Sequence, residues 1–113
     1  MAHVLNFNNI KKLYLTITLP DDDNTTLMIC SPKKSTMDAL TIMRRYVDTE
    51  NQVERDSDEM DALYTVTAEI ISNNKADIKI TKEHLESILD LEDILVFFNA
   101  YEDFLKEIGR GKN

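Results

Sequence analysis

From Lys12 to Leu19 apolar and polar residues alternate without a break. Leu13, Leu15, Ile17 and Leu19 fall on one side, and Lys12, Tyr14, Thr16 and Thr18 on the other. A period of two, carried by β-branched and aromatic residues, marks a half-buried strand. Pro20 and the turn formers Asp21-Asp22-Asp23-Asn24 stop it. Thr25 to Ser31 then reads as the returning strand, with Leu27 and Ile29 on one face and Met28 and Cys30 on the other. The two form a β-hairpin over residues 12–31 whose register the sequence leaves open. An isolated hairpin is marginal in water, so the rest of the chain has to cover its apolar face.

That cover is helical. Ser35 is placed to cap a helix with Asp38 in its first turn, and Met37, Leu40, Met43 (or Ile42) and Val47 form its inner stripe. This helix fades near Glu50, and residues 48–59 read as a polar, mostly acidic connection. A second helix begins at Asp56 or Ser57, with Glu59 as reciprocal cap. Met60, Leu63, Tyr64, Thr67, Ile70 and Ile71 line its inner face, and Ser72-Asn73-Asn74 ends it, Asn suiting a left-handed close. Ile78-Lys79-Ile80 is an option for a short third strand. Thr81 caps a two-turn helix and Asp90 caps the last one; Ile80 with Leu85, and Leu89 with Ile94, are placed as hydrophobic staples. Gly109 is expected to end the last helix. The fold class is therefore α+β: an N-terminal antiparallel β-hairpin packed on about four α-helices, in one domain. Residues 1–11 are a lead-in that packs loosely on the sheet or adds an edge strand, 35–108 are helical, and 109–113 are a tail.

The last helix carries more apolar surface than one packing face needs. Leu91, Ile94, Leu95, Phe98, Leu105 and Ile108 follow the three-and-four spacing of one face, and Phe97, Tyr101 and Phe104 add a stripe beside it. Either the helix is central with neighbours on two sides, or part of it is kept for a partner. The staples tie down its start, which leaves Phe97, Tyr101, Phe104 and Ile108 as the candidate partner-binding residues. On that reading a chain ended after Asn99 folds but loses its partner.

No other constellation carries chemistry. With 113 residues, 42% hydrophobic content and two Gly and two Pro, one regular domain is expected. The formal net charge of −8 repels phosphate backbones, so no nucleic-acid partner is expected. Cys30 is the single cysteine, which excludes an intramolecular disulfide and a thiolate cluster; its apolar neighbours suggest a buried, inert thiol. Asp21-Asp22-Asp23 looks like half a calcium loop, but Thr26 and Pro32 stand where that loop needs Gly and a bidentate acid. His3 and His84 have no metal-ligand spacing, so His84 reads as a surface histidine and no metal or cofactor is expected. Asp90, Glu92 and Asp93 read as caps, and no phosphate loop or nucleophile elbow is present, so no catalytic residue is assigned. Met37-Asp38-Ala39-Leu40 recurs as Met60-Asp61-Ala62-Leu63 near a second helix start, in unmatched flanks that do not indicate duplication. The N-terminus lacks the pattern of a signal peptide, and no stretch approaches the roughly 18 apolar residues of a membrane span. A soluble, cytoplasmic protein without a membrane partner is expected.

Several stretches carry a resemblance. They are Val4-Leu5-Asn6-Phe7-Asn8-Asn9-Ile10-Lys11-Lys12, Tyr14-Leu15-Thr16-Ile17-Thr18-Leu19-Pro20, Ser72-Asn73-Asn74-Lys75 through Ile78-Lys79-Ile80-Thr81, and Phe97-Phe98-Asn99-Ala100-Tyr101. With the order of elements, they make nearly the whole chain resemble the tail assembly chaperones of siphophages and prophages of Gram-positive bacteria. The resemblance implies a non-enzymatic protein that binds the long, helical tape-measure protein in the host cytoplasm. It implies that the chaperone keeps that chain soluble before the tail tube polymerises, and is absent from the mature virion. Lys112-Asn113 is compatible with the slippery codon pair through which such families make a longer frameshifted form. Homo-oligomerisation stays open, and so does a different reading: a small phage or bacterial adaptor or structural subunit that binds its partner by the hairpin edge.

Overall fold

The computed structural model describes residues 3–47 and 56–110. Two strands and four helices follow in order: β1 (Leu15–Thr18), β2 (Thr26–Ile29), α1 (Lys34–Val47), α2 (Ser57–Ser72), α3 (Lys82–Ile88) and α4 (Leu91–Gly109), preceded by a 3-10 turn at Phe7–Asn9. The class is α+β, with a two-stranded antiparallel sheet near the N-terminus. Leu15 faces Ile29 and Ile17 faces Leu27, so the alternation places one apolar row on the core side. Leu19, Leu27 and Ile29 are buried, and Thr16, Thr18 and Thr26 stand in solvent.

The helix around which the core is built is α2, not α4. It packs against α1, α3 and β2. Leu63, Tyr64, Val66, Thr67, Ala68, Ile70 and Ile71 are buried on it, an arc too wide for one neighbour. The sequence pattern caught one side of this arc and missed Val66 and Ala68, because a 3.6-residue stripe describes a helix with a single buried face. Leu40 and Met43 come in from α1, Leu85 from α3, and Ile94 and Tyr101 from α4, all with 0% exposure.

The helix ends follow local chemistry, with three departures. α1 begins at Lys34, with Met37 N–H donating to the Lys33 carbonyl at 2.9 Å, so Ser35 lies inside the helix and is not its cap. Asn73 closes α2 at φ −83, outside the left-handed region; the left-handed residue of that connection is Asp77, at φ 61. Gly109 is the last residue of α4 rather than the residue beyond it, and Arg110 caps at φ −76. The cap residues Asp56, Thr81 and Asp90 fall where the sequence places them, but among the described residues the reciprocal bond expected from the Glu59 side chain is not made. Asp56 accepts from Glu59 N–H, Thr81 from His84 N–H, and Asp90 and Asp93 form a reciprocal capping box. The connection expected at 48–59 falls largely on residues 48–55, which lie outside the described residues.

Residues 78–80 do not form a strand. The outer edge of β2 is covered instead by residues 73–75: Cys30 N–H donates to the Asn73 carbonyl and Lys75 N–H to the Met28 carbonyl, each at 2.9 Å. Side chains of Ser72-Asn73-Asn74 complete this junction. Asn74, 5% exposed, donates to the carbonyls of Ile71 and Ile78 and accepts from Ile78 N–H. Ser72 Oγ donates to the Ile80 carbonyl and accepts from its N–H, and Asn73 donates to the Ser31 carbonyl. A run that reads as a helix stop is thus the joint between α2, the sheet and α3.

Candidate functional site

The aromatic stripe of α4 is core. Phe97, Tyr101 and Phe104 are 8%, 0% and 7% exposed. Their rings pack on one another, with centroids 5.8 Å apart for Phe97 and Tyr101 and 6.0 Å for Tyr101 and Phe104. These three therefore form no accessible patch, and ending the chain after Asn99 would remove Tyr101 and Phe104 from the core. Burial without a compensating charge pushes the Tyr101 phenol up to about 12. Its hydroxyl is buried and has no hydrogen-bond partner. The fourth candidate, Ile108, is half-buried.

What remains accessible on α4 lies on two flanks. Leu105 and Ile108 point the same way as Ile94 and Tyr101 and pack against the core, yet both are only half-buried. Beside them Phe98, Glu102, Leu105 and Lys106 border a groove of about 540 Å³, closed on the α1 side by Arg44. Arg44 bridges to Glu102 with two 2.7 Å hydrogen bonds, a fork that fixes α1 against α4 at the groove floor. The opposite flank carries Val96, 65% exposed. There an apolar cleft of about 370 Å³ runs between Ile17, Leu19 and Pro20 of the hairpin and Val96, Phe97 and Ala100 of α4.

Polar groups cluster elsewhere. A groove of about 820 Å³ is bordered by Lys33, Lys79 and Lys82 but equally by Glu69, Asp77 and Glu83. Such mixed signs give no preference for an anion or a cation. Hydrogen bonding to Asp61 holds the Lys82 ammonium above its usual range, so it stays charged, and Glu83 and Glu86 stand beside it. Tyr64 donates its hydroxyl to the Leu89 carbonyl at 2.5 Å, and burial raises its pKa, with Asp90, Asp93 and Glu86 adding to the rise. No group of three or more His, Cys, Asp or Glu able to hold a metal ion occurs among the described residues. Cys30 is free and half-buried, less enclosed than its neighbours suggest.

One pairing was not legible in the sequence. One oxygen of Asp21 accepts from Thr25 N–H at 2.9 Å; the other accepts from the Thr25 hydroxyl at 2.8 Å and lies 3.0 Å from His84 Nε2. The Thr25 bonds, followed by His84, lower the Asp21 pKa from 3.8 to about 2. An acidic turn and a lone histidine, 63 residues apart, join the hairpin to α3. No local spacing predicts a contact of that range.

Among the described residues no helix is long and apolar enough to cross a membrane. No protein-family model, curated protein or solved structure matches the chain.

Proposed function

We propose that this chain is a non-enzymatic phage tail assembly chaperone that binds helical segments of the tape-measure protein and keeps them soluble in the host cytoplasm. The observation that carries the reading, beside the whole-chain resemblance, is the half-buried apolar end of α4. Leu105 and Ile108 pack against the core but stay half-buried, and Leu105 borders the groove that Phe98 and Arg44 also line. An amphipathic helix laid into that groove would complete their burial, the usual way a helix is held in an apolar channel. The binding residues become Leu105 and Ile108, with the buried Phe97, Phe98, Tyr101 and Phe104 as the packed floor that holds α4 in place.

Co-expression with a tape-measure protein from the same operon tests the proposal. Soluble tape-measure protein should rise in the presence of the chain; an unchanged soluble fraction would dispose of the role. A second reading, an adaptor that binds by the hairpin edge, is favoured by one observation: among the described residues the outer edge of β1 has no strand beside it.

A further inference from the structure

That open edge and the N-terminal lead-in fit each other. Residues 73–75 close the β2 side of the sheet through Met28 and Cys30, so Leu27 and Ile29 turn their backbone groups towards β1. Their partners Ile17 and Leu15 face β2, and the backbone N–H and C=O groups of Thr16 and Thr18 point outwards from β1. This row stands next to the apolar cleft that ends at Val96. In the lead-in, Val4, Leu5, Phe7 and Ile10 are 90%, 68%, 74% and 38% exposed. Its 3-10 turn is held by Asn6, which accepts from Asn8 and Asn9.

We propose that residues 4–10 of one copy of this chain add as a strand along the outer edge of β1 in a second copy. Leu5 and Phe7, two apart and so on one face of a strand, enter the cleft beside Val96 and Ala100. Seven residues extend over about 23 Å, more than the four-residue β1 requires. Charge agrees with the pairing. The first 14 residues hold His3, Lys11 and Lys12 and no acid, whereas the rest of the chain is strongly acidic. Asp93 lines the cleft, and Asp22 and Asp23 stand in the neighbouring hairpin turn. Docking on the same copy's β1 would need a chain reversal within Lys11-Lys12-Leu13, which contains no turn-forming residue. Donor and acceptor surfaces differ, so the contact is head-to-tail and builds rings or open chains of copies. It uses the flank of α4 opposite the groove proposed for the tape-measure protein, so either idea can fail without the other.

Sedimentation of the full chain and two variants tests this. Phe7→Asp spoils the arm and leaves the cleft; Val96→Glu spoils the cleft and leaves the arm. Both positions are exposed, and circular dichroism checks that each variant keeps its fold. The wild type should form assemblies that grow with concentration, and each variant alone should sediment as a monomer. Mixing the two variants should restore one contact and give a species of twice the monomer mass. A wild type that stays monomeric, a Phe7→Asp variant that assembles normally, or a mixture that stays monomeric would overturn the proposal.

Discussion

Asn74 shows how much structure one short polar side chain can hold. Its amide joins the end of α2 to the approach to α3 by three hydrogen bonds, from a site 5% exposed. Asn74→Ala leaves buried backbone groups unpaired and should cost about 2 to 3 kcal/mol in urea unfolding. Tyr101 is the opposite case. Its hydroxyl is buried without a partner, so Tyr101→Phe removes an unsatisfied group and should be neutral or stabilising by about 1 kcal/mol. A clear loss of stability would show that the hydroxyl is bonded. The pKa raised from 10.0 to about 12 means folding favours the neutral phenol. That contribution is complete below pH 10 and disappears as pH rises from 10 towards 12, so Tyr101→Phe should flatten this part of the alkaline unfolding curve. Asp21 acts at the other end of the scale. Its pKa is lowered, so its contribution is complete above pH 3.8 and is lost as pH falls towards 2. Asp21→Asn should lower the urea midpoint at pH 7 and remove the acid-side slope across that window.

At the level of elements, β1, β2 and the four helices were legible because their signals are local. Period two, Pro20, and the caps Asp56, Thr81 and Asp90 each act within a few residues. What a face packs against is not local. The aromatic row of α4 has the same spacing whether it is core or binding surface, and only the position of α2 and the hairpin decides that Tyr101 is enclosed. The fork from Arg44 to Glu102 across α1 and α4 is likewise invisible in sequence, and a double-mutant cycle with Arg44→Ala and Glu102→Ala should give a coupling of about 1 kcal/mol. Ile108 is half-buried in the last turn of α4, so Ile108→Asp should lower the thermal midpoint only slightly while abolishing the gain in soluble tape-measure protein. A large drop in the midpoint would mean that Ile108 acts as core.

For the whole molecule, a net charge of −8 surrounds a small number of uncovered apolar surfaces: the end of α4, the cleft beside β1 and the lead-in. Charge keeps such a chain dispersed while those surfaces stay available to partners. The central claim is that the end of α4 holds the tape-measure protein. Hydrogen exchange on the chain with and without that partner tests it most directly. Added protection in residues 98–108, with residues 13–29 unchanged, is the predicted result; protection confined to residues 13–29 would contradict it and favour an adaptor that binds by its hairpin edge.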